Sequence, residues 1–209
     1  MGGQFNDVIA TEAQLRAVLG HPGQRALDKQ IDTLDEHCRG FIAASPFVLI
    51  GTGDAASNMD VSPKGDLAGF VRVLDDKTLA IPDRPSNRRA DTLRNVIQNP
   101  HIGLLFLVPG QEQTLRVNGT AIIARDRWLR EKMAVAGKLP ELAFVVSVRE
   151  VFFHCAKCMV RSKLWDNAQW PSAEGVPTLA EALIAHANLD ISATELAASL
   201  ERDTRERLY

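Results

Sequence analysis

Seven short β-rich segments separated by turn signals constrain the fold more than any other feature of the sequence. They are residues 46–52, 59–62, 67–74, 78–82, 101–108, 114–124 and 142–153. Only two helical segments, residues 87–98 and 126–136, interrupt them, so the strand–helix alternation typical of parallel sheets is absent. Asp75-Asp76 and Pro109-Gly110 lie where hairpin turns belong. The pattern predicts an α+β protein built on an antiparallel barrel or sandwich.

Helices are predicted on both sides of the β-rich region. Thr11 is a candidate N-cap for a first helix that Gly20 ends, and apolar residues at helical spacing predict a second helix over residues 27–42. Residues 177–209 predict two more. We therefore divide one domain into N-terminal helices that pack on the barrel (1–45), a barrel core (46–165) and a helical extension (166–209).

Composition narrows the choice of partners and compartment. The chain has 24 Lys and Arg against 26 Asp and Glu, a formal net charge of -2, so we expect no nucleic acid and no membrane surface as partner. Three cysteines are too few for a disulfide framework. No segment has the length and apolarity of a signal peptide or a membrane span. These features predict a cytoplasmic protein.

Gly51-Thr52-Gly53-Asp54-Ala55-Ala56 matches the dinucleotide-binding fingerprint that follows the first strand of a Rossmann fold. That fingerprint needs a long helix starting at the glycines, because the pyrophosphate binds at the helix N-terminus. Pro63 and Gly65 follow within a dozen residues, and the sequence between is extended in character. A glycine-rich hairpin turn is the better interpretation.

Three arginines, Arg84, Arg88 and Arg89, lie where a predicted strand gives way to a helix. With Ser86 or Asn87 as N-cap, Arg88 and Arg89 fall in the first helical turn, where a cation is disfavoured by the helix dipole. A bound anion, most naturally a phosphate, would reverse that effect. The alternative is that both arginines extend into solvent or pair with Asp83 and Asp91.

The segment before the arginines has small or polar side chains where a core strand would be bulky. Asp60-Val61-Ser62-Pro63-Lys64 predicts an extended strand whose backbone stays accessible. A flat heterocycle could lie against it, with Lys64 supplying charge to one edge. The alternative is an ordinary edge strand blunted by Pro63 and Lys64.

A second cationic segment follows the last strand. If it is helical, Lys157, Arg161 and Trp165 share one face, which suits an aromatic anionic ligand. A solvated face with Trp165 as a core anchor explains the same residues equally well. Cys155 and Cys158 lack a second ligand pair at usable spacing, so we expect no metal site and interpret them as packing residues.

These segments, in this order, resemble the pyridoxamine 5′-phosphate oxidase-like, FMN-binding split-barrel proteins. The resemblance rests on Asp60-Val61-Ser62-Pro63-Lys64-Gly65, on Ser86-Asn87-Arg88-Arg89 and on Leu115-Arg116-Val117-Asn118-Gly119-Thr120-Ala121. It covers roughly residues 30 to 165, and His154-Cys155-Ala156-Lys157 is similar to a flavin-nucleotide-binding subgroup. The resemblance implies a split β-barrel with flanking helices and a homodimer with two FMN sites between its subunits.

The resemblance also assigns roles to residues. Arg88 and Arg89 would bind the FMN phosphate, and Val61, Ser62, Pro63 and Lys64 would line the isoalloxazine. Thr114 stands where the better-known oxidases place a glutamine against the ring. Lys157, Arg161 and Trp165 would approach from the partner chain. The candidate site is completed by Asp60, Arg84, Ser86 and Asn87.

The implied function is that of an FMN-dependent oxidoreductase acting on an unidentified small molecule. The two helices predicted after Pro177 replace the arginine and histidine that bind the phosphate ester in the true oxidases, so a vitamin B6 substrate is not expected. A non-catalytic flavin carrier or sensor of the same fold is the alternative. A deazaflavin cofactor would need a longer basic groove, which the acidic helices after Pro177 disfavour.

Overall fold

The structure is a computed structural model that describes residues 5–209. The chain forms two compact units, with the boundary between Ile31 and Asp32. The first unit contains α1 (Glu12–Leu19) and α2 (Gln24–Asp28). Thr11 caps α1 in a reciprocal capping box with Gln14, and Gly20 ends the helix at φ 71°. The predicted cap and stop of this helix are confirmed.

The second unit contains all seven strands and six further α-helices of the described residues. The strands are β1 (Phe47–Gly53), β2 (Met59–Gly65), β3 (Arg72–Asp75), β4 (Thr78–Asp83), β5 (His101–Leu107), β6 (Thr114–Ala124) and β7 (Leu142–His154). The helices are α3 (Glu36–Ala44), α4 (Asp91–Gln98), α5 (Arg127–Lys132), α6 (Lys157–Ser162), α7 (Leu179–Ala187) and α8 (Ala193–Glu206).

All strands belong to one sheet in the order β2-β1-β5-β6-β7-β4-β3, and every pairing is antiparallel. Four strands separate β2 from β4 in this order, yet Lys64 Nζ on β2 lies 3.0 Å from Asp83 Oδ1 on β4. The sheet must therefore curl so that its two ends approach each other. The predicted α+β split barrel with flanking helices is confirmed.

The interior follows from the period-2 alternation of the strands. In β1, Val48 and Ile50 are fully buried, and Ile81, Phe106 and Phe144 fill the same core from β4, β5 and β7. Each fully buried side chain of this kind stabilises the fold by roughly 1.5–3 kcal/mol. This core fixes the barrel on whose rim the candidate site lies.

The glycine-rich segment after β1 is a hairpin turn. Asp54 Oδ1 accepts from the backbone N–H groups of Ala56 and Asn58, each at 2.8 Å, and β2 then pairs antiparallel with β1. No helix starts at the glycines, so the hairpin interpretation is confirmed.

The helix predicted over residues 27–42 is wrong, because the structure has two helices there. The backbone N–H of Leu34 donates to the carbonyl of Asp76 in the β3–β4 turn at 2.7 Å. Asp35 then caps α3 by accepting from the N–H of Cys38 at 2.8 Å. The hydrogen bond of Leu34 to the β3–β4 turn and the N-cap at Asp35 interrupt the periodic segment. It therefore does not form one continuous helix.

Two further boundaries differ from the predictions. The segment predicted as strand 67–74 begins with a turn in which Gly69 has φ 79°, so β3 is confined to Arg72–Asp75. The helix predicted over 126–136 ends at Lys132, where Met133 leaves helical geometry, and Ala136 and Gly137 take positive φ in the following turn. Across the described residues, we find no helix that combines the length and apolarity needed to cross a bilayer.

Candidate functional site

A cleft of about 800 Å³ opens on the side of the barrel where β2 approaches β4. Four segments form its walls: β2, the residues between β4 and α4, the turn before β7, and the residues after α8. Its lining includes six basic side chains, Lys64, Arg84, Arg88, Arg89, Lys138 and Arg207, against four acidic ones, Asp60, Asp83, Asp91 and Glu141. The excess of basic groups favours an anionic ligand although the whole chain is slightly acidic.

The first wall is β2, an edge strand of the sheet. It pairs only with β1 among the described strands, so one edge of its backbone is open. Val61 and Pro63 are exposed, whereas Ser62 and Lys64 are partly buried. The Lys64 side chain, 18% exposed, pairs with Asp83, 19% exposed, so its charge is balanced within the cleft.

Helix α4 is held against this wall by two side-chain hydrogen bonds. Thr92 Oγ1 donates to Asp60 Oδ2 on β2 at 3.2 Å, and Asn95 Nδ2 donates to Thr52 Oγ1 on β1 at 3.1 Å. Asn95 and Thr52 are both buried, which makes the second bond costly to lose. These contacts fix the start of α4 beside β2.

The predicted start of this helix is wrong. Neither Ser86 nor Asn87 caps α4; Asn87 Oδ1 instead accepts from the backbone N–H of Arg89 at 3.0 Å and closes a turn. Arg88 and Ala90 then adopt left-handed φ values of 62° and 58°, which end any helical geometry before Asp91. We call residues 84–90 the arginine loop.

The backbone of the arginine loop is strained. Non-glycine residues in the left-handed region cost roughly 1 kcal/mol each, and Arg88 and Ala90 are both in it. Such strain concentrates at binding sites, where the surrounding structure holds it for a purpose. Here it places two arginine side chains ahead of the first turn of α4, whose N-cap Ala90 forms no side-chain capping bond.

The two arginines differ in their partners. Arg89 Nε pairs with Asp91 Oδ2 at 2.8 Å, and this hydrogen bond and charge raise the pKa of Arg89 above its usual value. The Arg89 side chain is exposed, so solvent screens this pair and it is weak. Within residues 5–209, Arg88 is exposed and forms no side-chain hydrogen bond or ion pair. The sequence left open that the two arginines pair with Asp83 and Asp91. Arg89 does pair with Asp91, but Asp83 pairs with Lys64.

Arg84 lines the cleft but is already bound to protein groups. Its Nε lies 2.6 Å from Asp66 Oδ2, and its Nη2 donates to the carbonyl of Met133 at 3.0 Å. The side chain of Asp66 is 1% exposed, so this is a buried ion pair. Arg84 therefore shapes the cleft wall, and less of its charge is available to a ligand than at Arg88.

Sequence reasoning missed the wall formed by the turn before β7 and the residues after α8. Tyr209 donates its phenol O–H to Asp66 Oδ1 at 2.7 Å, its ring centroid lies 5.5 Å from the Arg84 guanidinium carbon, and Lys138 Nζ donates to its carbonyl at 2.9 Å. Tyr209 and Asp66 are 143 positions apart, so no local sequence pattern reveals the contact.

The other predicted site residues lie away from the cleft of the single chain. Thr114 is buried in β6, opposite His154 of β7. Lys157 and Arg161 are exposed on α6, but this helix ends at Ser162 and Lys163 takes φ 55°. Trp165 lies beyond it, where its Nε1 donates to the carbonyl of Gln111 at 2.7 Å. The predicted single helical face is therefore wrong.

Ten of the fourteen predicted site residues are brought together in the cleft. They are Asp60, Val61, Ser62, Pro63, Lys64, Arg84, Ser86, Asn87, Arg88 and Arg89. Thr114, Lys157, Arg161 and Trp165 do not line it. Cys155, just before α6, and Cys158, within it, are both exposed, so their interpretation as packing residues is wrong.

The sequence matches the family model described as pyridoxamine 5′-phosphate oxidase over residues 34–155, which is more than half of the chain. This match includes β1 to β7 and the whole arginine loop. A search of curated proteins gives no significant match.

Several solved structures resemble this one at low sequence identity. A variant of HupZ from Group A Streptococcus is 19% identical, with a TM-score of 0.49 over 58% of this chain and 99% of that chain. A putative pyridoxamine 5′-phosphate oxidase from Lactobacillus delbrueckii is 22% identical, with a TM-score of 0.47 over 58% of this chain and 95% of that chain. An FAD-binding protein from Mycobacterium smegmatis is 16% identical, with a TM-score of 0.42 over 59% and 97%.

Proposed function

Because the chain belongs to the pyridoxamine 5′-phosphate oxidase family, we propose that it binds FMN in the cleft and acts as an FMN-dependent oxidoreductase on a small molecule. One observation carries the proposal: the open edge of β2 and the strained arginine loop line the same cleft. A flat ring and a phosphate are the two ends of FMN, and each of these walls suits one of them.

The phosphate end of the proposed site is the arginine loop with the first turn of α4. Arg88 has a free guanidinium, and the weak exposed pair of Arg89 with Asp91 can exchange for a phosphate. The N–H groups of the first turn of a helix are free for an anion when no side chain caps them, and none caps α4. Guanidinium and backbone N–H groups together provide charge-assisted hydrogen bonds to phosphate oxygens.

The ring end is the β2 wall. The open backbone edge of β2 offers donors and acceptors to the polar rim of a heterocycle, and Val61 and Pro63 offer exposed apolar surface to its face. Lys64 has three N–H donors and gives one to Asp83, which leaves two for the ring. The cleft volume of about 800 Å³ lies within the range of cofactor sites.

Bound FMN would supply a hydride acceptor and donor, which is chemistry that side chains do not provide. The protein's residues would orient the ring through β2 and anchor the phosphate through the arginine loop. Lys64, held in place by Asp83, would present positive charge to the ring edge and thereby favour a negatively charged reduced state. No side-chain general acid or base is needed for this role.

We further propose that the active form is a homodimer in which Lys157, Arg161 and Trp165 of the partner subunit complete each site. The proposal is supported by the position of these residues outside the cleft of their own chain, on an exposed helix and just beyond it. Exposed Val61 and Met59 on β2 would be covered in such a dimer.

The decisive measurement is FMN binding by the purified apoprotein, followed by flavin fluorescence. The double substitution Arg88→Ala and Arg89→Ala removes two charge-assisted contacts, so we expect the Kd for FMN to rise about a hundredfold or more. The matched control is Arg94→Ala with Arg127→Ala, because neither residue lines the cleft. Equal affinities of the arginine-loop variant and the control would contradict the phosphate assignment.

Turnover is tested separately, with the FMN-loaded protein. Oxidoreductase function predicts that NADH or NADPH bleaches the flavin absorbance and that an electron acceptor then restores it over repeated cycles. A flavin that stays oxidised with both donors would favour the carrier or sensor. Mass spectrometry of the released chromophore distinguishes FMN from a deazaflavin.

A further inference from the structure

The residues that follow α8 belong to the cleft although they lie far outside the family match. The match ends at residue 155, whereas Arg207 and Tyr209 line the cleft together with β2 and the arginine loop. We propose that residues 207–209, which we call the clamp segment, bind FMN directly and slow its release. This inference rests on the proposed function and extends it to residues of this chain.

Tyr209 is held in place by three contacts to three different parts of the barrel rim. Its phenol O–H donates to Asp66 at 2.7 Å, its ring lies 5.5 Å from the guanidinium carbon of Arg84, and Lys138 holds its carbonyl at 2.9 Å. A ring fixed in this way loses little further freedom when a ligand packs on it. An aromatic side chain in the same cleft as an open strand edge is suited to a planar heterocycle.

Arg207 extends the clamp segment toward the phosphate end. It lines the main cleft, and it also shares a smaller cavity of about 470 Å³ with Ser86, Asn87 and Arg88 of the arginine loop and with Asp203. Its only partner among the described residues is Asp203, one turn earlier on α8, at 2.8 Å. Both side chains are more than half exposed, so this pair is weak and Arg207 can turn to a phosphate.

The clamp segment would thus contact the ring end of the proposed ligand through Tyr209 and its phosphate end through Arg207. Contacts at both ends have to break before FMN leaves, so they should act mainly on the dissociation rate. The Tyr209 side chain would restrict the isoalloxazine end of FMN, and the guanidinium of Arg207 would restrict its phosphate end.

The test measures the dissociation rate of FMN from the full-length holoprotein, by the rise in flavin fluorescence after dilution. Tyr209→Ala should release FMN about tenfold faster, because it removes a ring contact and a hydrogen bond to a charged group. Tyr209→Phe keeps the ring and should show a smaller increase. Leu208→Ala is the matched control: Leu208 is 58% exposed and does not line the cleft.

The variants distinguish the clamp from a general loss of stability. Lys138→Ala removes an exposed tether to the Tyr209 carbonyl and one basic group of the cleft, so it should accelerate release without lowering Tm. If the tether is the cause, it should add little further acceleration in a chain that already carries Tyr209→Ala. Wild-type release rates in Tyr209→Ala and Lys138→Ala, with FMN still bound, would overturn the clamp and leave the proposed function intact. Failure of the wild-type protein to bind FMN would overturn the proposed function itself, and the clamp with it.

Discussion

Asp66 is a buried carboxylate at the rim of the barrel, and its partners explain its ionisation. Burial alone would raise the pKa of Asp66, but the hydrogen bonds from Tyr209, from the backbone N–H of Leu67 and from Arg84, with the charge of Arg84, lower it below its usual value of 3.8. Conversely, the hydrogen bond to Asp66, burial and the carboxylate charge raise the pKa of Tyr209 above 10.0. Both pKa shifts include the effect of the hydrogen bond between Tyr209 and Asp66.

Tyr209 is the single tyrosine of the chain, so its ionisation can be followed directly by the near-ultraviolet absorbance of tyrosinate. We expect a titration midpoint above pH 10.0 in the folded protein, because the neutral phenol is the form that donates to Asp66. Asp66→Asn removes the negative charge and should lower the midpoint toward 10.0. A midpoint that does not change in this variant would mean that the phenol does not contact Asp66 in solution.

The same pair gives a pH dependence of stability. The pKa of Asp66 is lowered by folding, so its contribution is present above pH 3.8 and is lost as the pH falls through the lower folded value. The pKa of Tyr209 is raised by folding, so its contribution is present below pH 10.0 and is lost as the pH rises through the higher folded value. Thermal melts across these two ranges should lose this dependence in Asp66→Asn.

The cleft position of a site residue could be predicted where it depends on the local sequence. Arg88, Arg89 and Lys64 were identified because cations before a helix and in a polar strand require an explanation. Tyr209 and Lys138 were not, because their contacts depend on how distant elements meet. The ion pair of Arg84 with Asp66 was not predicted for a similar reason, since the two residues are 18 positions apart, just after the ends of two different strands.

Among the elements, β6 and β7 form the longest pairing of the sheet, and a bulge divides it. Asn118 pairs with Glu150, but Gly119 pairs with Val148, so Arg149 is an extra residue on β7. A Cβ on Gly119 would overlap the carbonyl oxygen of Ser147. Only glycine permits this approach of the two strands.

Gly119→Ala should therefore destabilise the protein by about 3 kcal/mol, as overpacking against backbone cannot relax. The measurement is urea unfolding followed by circular dichroism. Gly40→Ala is the matched control, because Gly40 lies in α3 with open space around its Cβ position and should change stability by less than about 1 kcal/mol, in the stabilising direction. Equal stabilities of the two variants would contradict the bulge geometry.

Element boundaries show what sequence patterns can and cannot specify. The limits of β6 agree with the prediction to the residue, because polar residues flank this β-rich segment on both sides. The starts of α3 and α4 differ from the predictions, because apolar spacing continues through the break before α3 and because Ser86 and Asn87 have the side chains of N-caps without capping α4. Before α3, the backbone conformation is set by the hydrogen bond of Leu34 to Asp76. Before α4, it is set by the left-handed φ values of Arg88 and Ala90.

At the scale of the whole molecule, the proposed homodimer predicts that two defective subunits can restore a site. One subunit carries Arg88→Ala with Arg89→Ala, and the other carries Lys157→Ala with Arg161→Ala. When the two are unfolded together and refolded as an equal mixture, half of the dimers are mixed and each has one intact site.

FMN titration of this mixture should recover about a quarter of the wild-type sites, whereas each variant alone should recover few. Separately refolded variants, mixed only afterwards, are the control for subunit exchange. A mixture that binds no more FMN than the average of the two variants would show that each site is built from one chain.

The clamp segment has a consequence for how the protein is made. Strand β2 leaves the ribosome well before Tyr209, and at a synthesis rate of about 5–20 residues per second the interval from Gly65 to Tyr209 is roughly 7–30 seconds. A nascent barrel can therefore fold around its core before the clamp segment reaches the cleft. Loading of FMN during translation would be reversible, and firm retention would begin only after Tyr209 has emerged and docked on Asp66.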